Sequence, residues 1–149
     1  NSSDGLLMPT EDLLRLNKFE LCLMLLRQWD ELEPIRHRLS VKDSWASAIS
    51  APQTMQSMHW LDFNDFKRQV SLQVPRFLKN KNAFGLNLRI IVCDQFEYCA
   101  KTGLPVGVLL AGIAKALSDS LPADVANIIT AILFSHDILR ALCECVSHL

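Results

Sequence analysis

The chain has 149 residues, half of them apolar and 21% charged, with five glycines and six prolines. That balance excludes disordered, collagen-like and low-complexity chains, and the length suits a single domain with an ordinary core. The formal net charge of −1 selects no partner, but its distribution is uneven. Residues 1–66 carry ten acids against six bases, and residues 90–149 carry six against three. The intervening segment holds Lys67, Arg68, Arg76, Lys79, Lys81 and Arg89 with no acid among them. One basic island therefore interrupts a mildly acidic chain.

Residues 1–9 read as a flexible leader, followed by a single domain over 10–149. The opening Asn, where a complete chain would have Met, predicts a piece excised from a larger protein. Pro9-Thr10-Glu11-Asp12 is a good helix start, with a capping hydroxyl and acids in the first turn. The helix is expected to run to about Glu33. Its middle, Leu21 to Leu26, is apolar on every side, which calls for deep burial. Pro34 should end or kink it.

A short helix opening near Ser40 places Trp45, Ala48 and Ile49 on one side, and Pro52 interrupts it. Residues 34–62 as a whole read as irregular. Asp62 is the expected cap of the next helix, where Phe63, Phe66, Val70 and Val74 follow helical spacing. Pro75 is expected to break that run, leaving a basic elbow from Pro75 to Gly85. Leu86 to Thr102 is expected to be helical, with Gly103 in the left-handed position after it. Leu104-Pro105 and Leu121-Pro122 each place proline where a helix start tolerates it. A final helix is expected to reach about Ser147.

The chain is thus expected to be all-α, a single compact bundle of six to eight helices with the apolar C-terminal helices at its centre. From Thr102 to Leu149 only six side chains carry formal charge. Helices that apolar either form the middle of the bundle or present a face that another molecule covers, a second copy of the chain included. Gly107, Ala111, Gly112, Ala114 and Ala116 would allow close helix approach. Trp29, Trp45 and Trp60 read as core pillars more readily than as interface anchors. The longest uncharged apolar-rich stretch, Thr102 to Ala114, is 13 residues, short of the roughly 20 that cross a bilayer, so no membrane association is expected.

Cys22, Cys93, Cys99, Cys143 and Cys145 are odd in number and lie in apolar stretches. They read as buried thiols, which points to a reducing compartment, cytoplasmic or nuclear. Cys143-x-Cys145-x-x-His148 falls short of a metal site, because side chains two apart on a helix diverge by about 200°. No metal or cofactor is expected. The chain holds no G-x-S-x-G, no G-x-x-x-x-G-K and no H-E-x-x-H. Cys22 and Cys93 have no polarising neighbour in sequence, and Asp94 with Glu97 reads as a solvated helix pair.

Catalysis is therefore not expected. The leading expectation is a protein–protein interaction module, an adaptor, scaffold or oligomerisation domain. Its partner would be an amphipathic helix or short acidic peptide, met at Lys67, Arg68, Arg76, Lys79, Lys81 and Arg89. The alternative is RNA or DNA binding through the same segment, with Phe66, Phe77 and Phe84 as stacking rings. A sequence pI near 6.5 weighs against it.

Overall fold

The computed structural model of the chain describes residues 10–80 and 87–145. The leader 1–9, Lys81, Phe84, Gly85 and the expected helix end at Ser147 lie outside them. The described residues contain no strand, and their α-helices include α1 (Thr10–Leu13), α2 (Lys18–Gln28), α3 (Glu33–Leu39), α4 (Asp43–Ser50), α5 (Trp60–Lys79), α6 (Val106–Ser118), α7 (Ala123–Ser135) and α8 (Ile138–Cys143). A π-helix, Ile90–Gln95, and three short 3-10 turns complete the chain. The all-α expectation holds. No helix among the described residues is long and apolar enough to cross a membrane.

The core forms around α7, in which every residue from Ile128 to Leu133 is buried, as are Val125 and Ala126. It packs against α1, α2, α6 and α8, so the lack of charge after Asp124 in its first turn has a direct cause. Thr130, the one polar residue in that run, donates its hydroxyl to Ala126 O at 2.7 Å and leaves nothing unsatisfied. α2 is the second pillar. Leu21, Cys22, Leu23, Leu25 and Leu26 are all buried, as the all-round apolar stretch requires.

The N-terminal helix divides where one continuous element was expected. Asn17 accepts a hydrogen bond from the Glu20 amide at 2.8 Å, and its own amide donates to Glu20 Oε1 at 3.1 Å. This reciprocal cap starts α2 afresh and cuts it from α1. Residues 34–62 are mostly helical, which corrects the irregular reading. Pro34 sits in the first turn of α3, where its missing amide costs nothing. Arg36 donates from Nη1 to Leu26 O at 2.6 Å and to Trp29 O at 2.8 Å, satisfying carbonyls at the end of α2. Arg27 does the same for α4, reaching Ile49 O at 2.9 Å and Ala48 O at 2.7 Å.

Asp62 is no helix cap. His59 holds that position, through Nδ1 to the Leu61 amide. The Asp62 carboxylate instead accepts from Ser44 Oγ at 2.6 Å and Trp45 Nε1 at 2.8 Å, and it pairs with Lys42 at 3.4 Å. These bonds join α4 to α5 and hold the carboxyl below its ordinary range, with the Ser44 and Trp45 hydrogen bonds the main cause.

Pro75 does not break α5, which continues to Lys79. The proline removes one backbone bond, an interior cost of about 3 kcal/mol. Burial of Val70, Val74, Pro75 and Leu78 on one face offsets it. The expected helix over 86–102 also fails as one element. Residues 87–89 are α-helical and run into the π-helix, which closes with the Phe96 amide donating to Ile91 O, and a 3-10 turn, Tyr98–Ala100, follows, entered through Glu97 at φ 60°. No described glycine has positive φ, so Gly103 does not fill the left-handed position. Pro105 and Pro122 stand just before α6 and α7, as their prolines suggested. Gly112 of α6 admits the Phe96 ring, which a Cβ would overlap.

The reading of all five cysteines as thiols is corrected. Cys93 is bonded to Cys143 and Cys99 to Cys145, with Cα–Cα distances of 5.3 and 5.4 Å, and only Cys22 is free. Cys143 ends α8 and Cys145 lies beyond it, past Glu144 at φ 47°, and each finds a different partner on the 90–100 segment. α8 is one and a half turns long and would be marginal alone. Two covalent ties fix it. With four cysteines paired, the premise for a reducing compartment is gone.

Candidate functional site on α5

α5 separates its residues by burial. Phe66, Val70, Val74 and Leu78 face inward. At 100° per residue, Leu61, Arg68, Leu72 and Lys79 fall within roughly 20° of one outward line. Leu61 is 54% exposed and Leu72 45%, so two large apolar side chains stand in solvent on a cationic stripe. Arg76 flanks the line by roughly 60° and Lys67 lies far around the helix from it. At the start of α5, Trp60 is 66% exposed and stacks on His59, with ring centroids 6.0 Å apart. This corrects the expectation that all three tryptophans are core pillars. Trp29 and Trp45 are buried.

The basic island is therefore only partly gathered. Arg68, Arg76 and Lys79 share the outer face of α5. Arg68 pairs with Asp65 at 3.3 Å, while among the described residues Arg76 and Lys79 make no ion pair. Arg89 sits elsewhere, on the approach to the π-helix, where it pairs with Glu144 at 3.3 Å. Lys81 lies outside the described residues. Of the three candidate stacking rings, Phe66 is fully buried against Phe19 and Trp45, and Phe77 is half-buried against Trp29. Phe84 is outside the described residues.

Beside the stripe, α3 and α5 enclose a cleft of about 210 Å³, lined by Ile35, Arg38, Gln69, Leu72, Gln73, Arg76, Phe77 and Asn80. Arg38 Nη1 donates to Gln73 Oε1 at 3.0 Å, and Gln73 Nε2 donates to Gln69 Oε1 at 3.0 Å. This relay holds the Arg38 guanidinium against α5 at the cleft. Two guanidinium groups thus border a depression with no acid in its lining, over apolar surface from Ile35, Leu72 and Phe77. Arg36, by pinning α3 to the end of α2, sets where Arg38 stands. Sequence reading missed Arg38 and Leu72. The period-3.6 placement of Leu61 and Leu72 on the polar side of α5 was the available signal.

The other sites weighed from sequence gain no chemistry. His136 Nε2 does come to 3.6 Å from Cys22 Sγ across 114 residues. Burial pushes the Cys22 thiol up to about 12. His136 is lowered, by desolvation first and then by Lys18 and Lys79. A neutral thiol beside a neutral imidazole is the opposite of an activated pair. Asp94 lies on the π-helix and Glu97 beyond its end, so their presumed helical spacing does not apply. Among the described residues no three His, Cys, Asp or Glu side chains gather as metal ligands. Comparison of the chain with protein families, curated proteins and solved structures found no match.

Proposed function

We propose that the chain is a non-enzymatic protein-interaction module that binds an acidic, amphipathic segment of another protein along the outer face of α5. The observation that carries the reading is the alternation of exposed Leu61 and Leu72 with Arg68 and Lys79, beside a cleft bordered by Arg38 and Arg76. Apolar anchors supply affinity and a rim of like charge selects the partner's sign. A helix with Leu or Phe at i, i+4 and i+7 and carboxylates between them is the complement. The nucleic-acid reading is less favoured, since two of its three stacking rings are occupied: Phe66 is buried and Phe77 packs on Trp29.

Two disulfides support placing the module in a compartment where such bonds persist, in place of the cytoplasm or nucleus that free thiols had suggested.

The test is a titration of the folded chain, followed by amide NMR, with a synthetic acidic amphipathic helix and separately with a single-stranded RNA oligomer. The reading expects the peptide to shift α5 and α3 resonances, with Leu72→Glu weakening it by about tenfold or more. Peptide binding that ignores Leu72→Glu, or RNA binding that is tighter than peptide and collapses with salt, would overturn it.

A further inference from the structure

A second cleft, of about 390 Å³, lies away from the outer face of α5 and is built from three distant parts of the chain. Trp29 and Glu31 come from the end of α2 and the 3-10 turn after it, Asn87, Ile90, Ile91 and Gln95 from the π-helix and its approach, and Ser120 and Leu121 from the α6–α7 turn. The volume is in the range of small-molecule sites.

Three observations make this a prepared site. The wall is a π-helix, a rare geometry that is frequent at functional sites. That wall is held from behind, since Cys93 within it is bonded to Cys143 and Phe96 at its end rests on Gly112. The lining is also divided by chemistry. Trp29, Ile90, Ile91 and Leu121 are apolar, while Asn87, Gln95 and Ser120 are neutral and polar. Glu31 is the one charged residue. It is exposed on a turn that also carries Asp30, and among the described residues no cation lines the cleft.

We infer that this cleft binds a small monocationic amphiphile, an aromatic or branched aliphatic amine whose body lies on Ile90, Ile91 and Leu121 and whose ammonium meets Glu31. An anion of the same shape would meet the Glu31 carboxylate with no cation to offset it. A neutral analogue would keep only the apolar contacts. The inference is independent of the partner proposed for α5.

The experiment is an amide NMR titration of the whole chain with 2-phenylethylammonium and, in parallel, with 3-phenylpropionate. Saturable shifts at Ile91, Gln95 and Ser120 are expected, with the cation binding roughly threefold to tenfold more tightly than the anion. Glu31→Gln, a substitution of an exposed side chain, should level the two affinities. Ser120→Trp, at the exposed rim, should block both, and far-UV circular dichroism confirms that each variant is folded. Equal affinities in the unaltered chain, a preference for the anion, shifts confined to other surfaces, or no saturable binding of the cation would each overturn the inference.

Discussion

Both disulfides join the same two segments, and this makes their contributions non-additive in a calculable way. Cys93–Cys143 closes a loop of 50 residues and Cys99–Cys145 one of 46. In the chain-entropy account, either bridge alone removes about 4 kcal/mol of denatured-state freedom at 25 °C. Once one is present, the other closes only the small ring between positions 93–99 and 143–145, about eight residues, which is worth about 2.5 kcal/mol. Removing either pair by double Cys→Ala exchange should therefore cost about 2.5 kcal/mol, whereas removing both should cost about 6.5. The positive coupling of about 1.5 kcal/mol is the signature of overlapping loops that share most of their length. Urea unfolding followed by tryptophan emission and far-UV circular dichroism would measure it, with extrapolation to zero denaturant for all four proteins. Thiol titration adds a direct check: none should react in the native chain, and one, Cys22, after unfolding without reductant. Five reactive thiols after such unfolding, or two bridges that each cost about 4 kcal/mol and simply add, would refute the reasoning.

Gly112→Ala should destabilise the chain by about 1–2 kcal/mol, roughly 3–8 °C in Tm, even though alanine is the better helix former. Its Cβ would overlap the Phe96 ring, and Phe96→Leu in the same chain should restore most of the loss on thermal denaturation. His136 should make stability fall with acidification. Its native-state value is lowered by burial and by Lys18 and Lys79, so the unfolded chain binds the extra proton first. The cost therefore grows as pH falls through 6.5 toward the lower native value. Denaturation midpoints between pH 7.5 and 5.5 should drop more for the unaltered chain than for His136→Gln, and parallel curves would exclude His136 as the cause.

The parts of the fold legible in the sequence are those where local pattern and burial agree. Leu21 to Leu26 is apolar on all sides and Ile128 to Leu133 is apolar but for Thr130, and both became buried parts of central helices because no solvent-facing orientation suits them. Pro105 and Pro122 marked two helix starts correctly for the same local reason. Misreadings arise where a tertiary partner outweighs a local signal. Pro75 is a helix breaker in isolation, yet it is buried between Val74 and Leu78 of a continuous helix. Asp62 has the chemistry of a cap, but Ser44 and Trp45 offered it two donors from another helix. Asn17-x-x-Glu20 was a readable cap signature, hidden by the smooth hydropathy around it. The disulfides were illegible because their partners lie 50 and 46 residues apart and the thiols sit among apolar neighbours, where a free cysteine is equally at home.

The two clefts were illegible for a related reason, since each is assembled across helices, and their placement follows from how the core is divided. Trp29 lines the acidic cleft, Phe77 lines the basic one, and their rings meet edge-on at 5.9 Å. This aromatic pair is the partition between two depressions of opposite charge. Behind the acidic one, the π-helix is fixed by Cys93–Cys143. Behind the basic one, α3 is fixed by Arg36 on the carbonyls of α2. Neither support reaches the outer side chains Leu61, Leu72, Arg76 and Lys79. Those side chains are exposed on a continuous helix. A charged, half-apolar stripe of this kind adapts its tips to a partner while its register stays set by Phe66, Val70, Val74 and Leu78 beneath it.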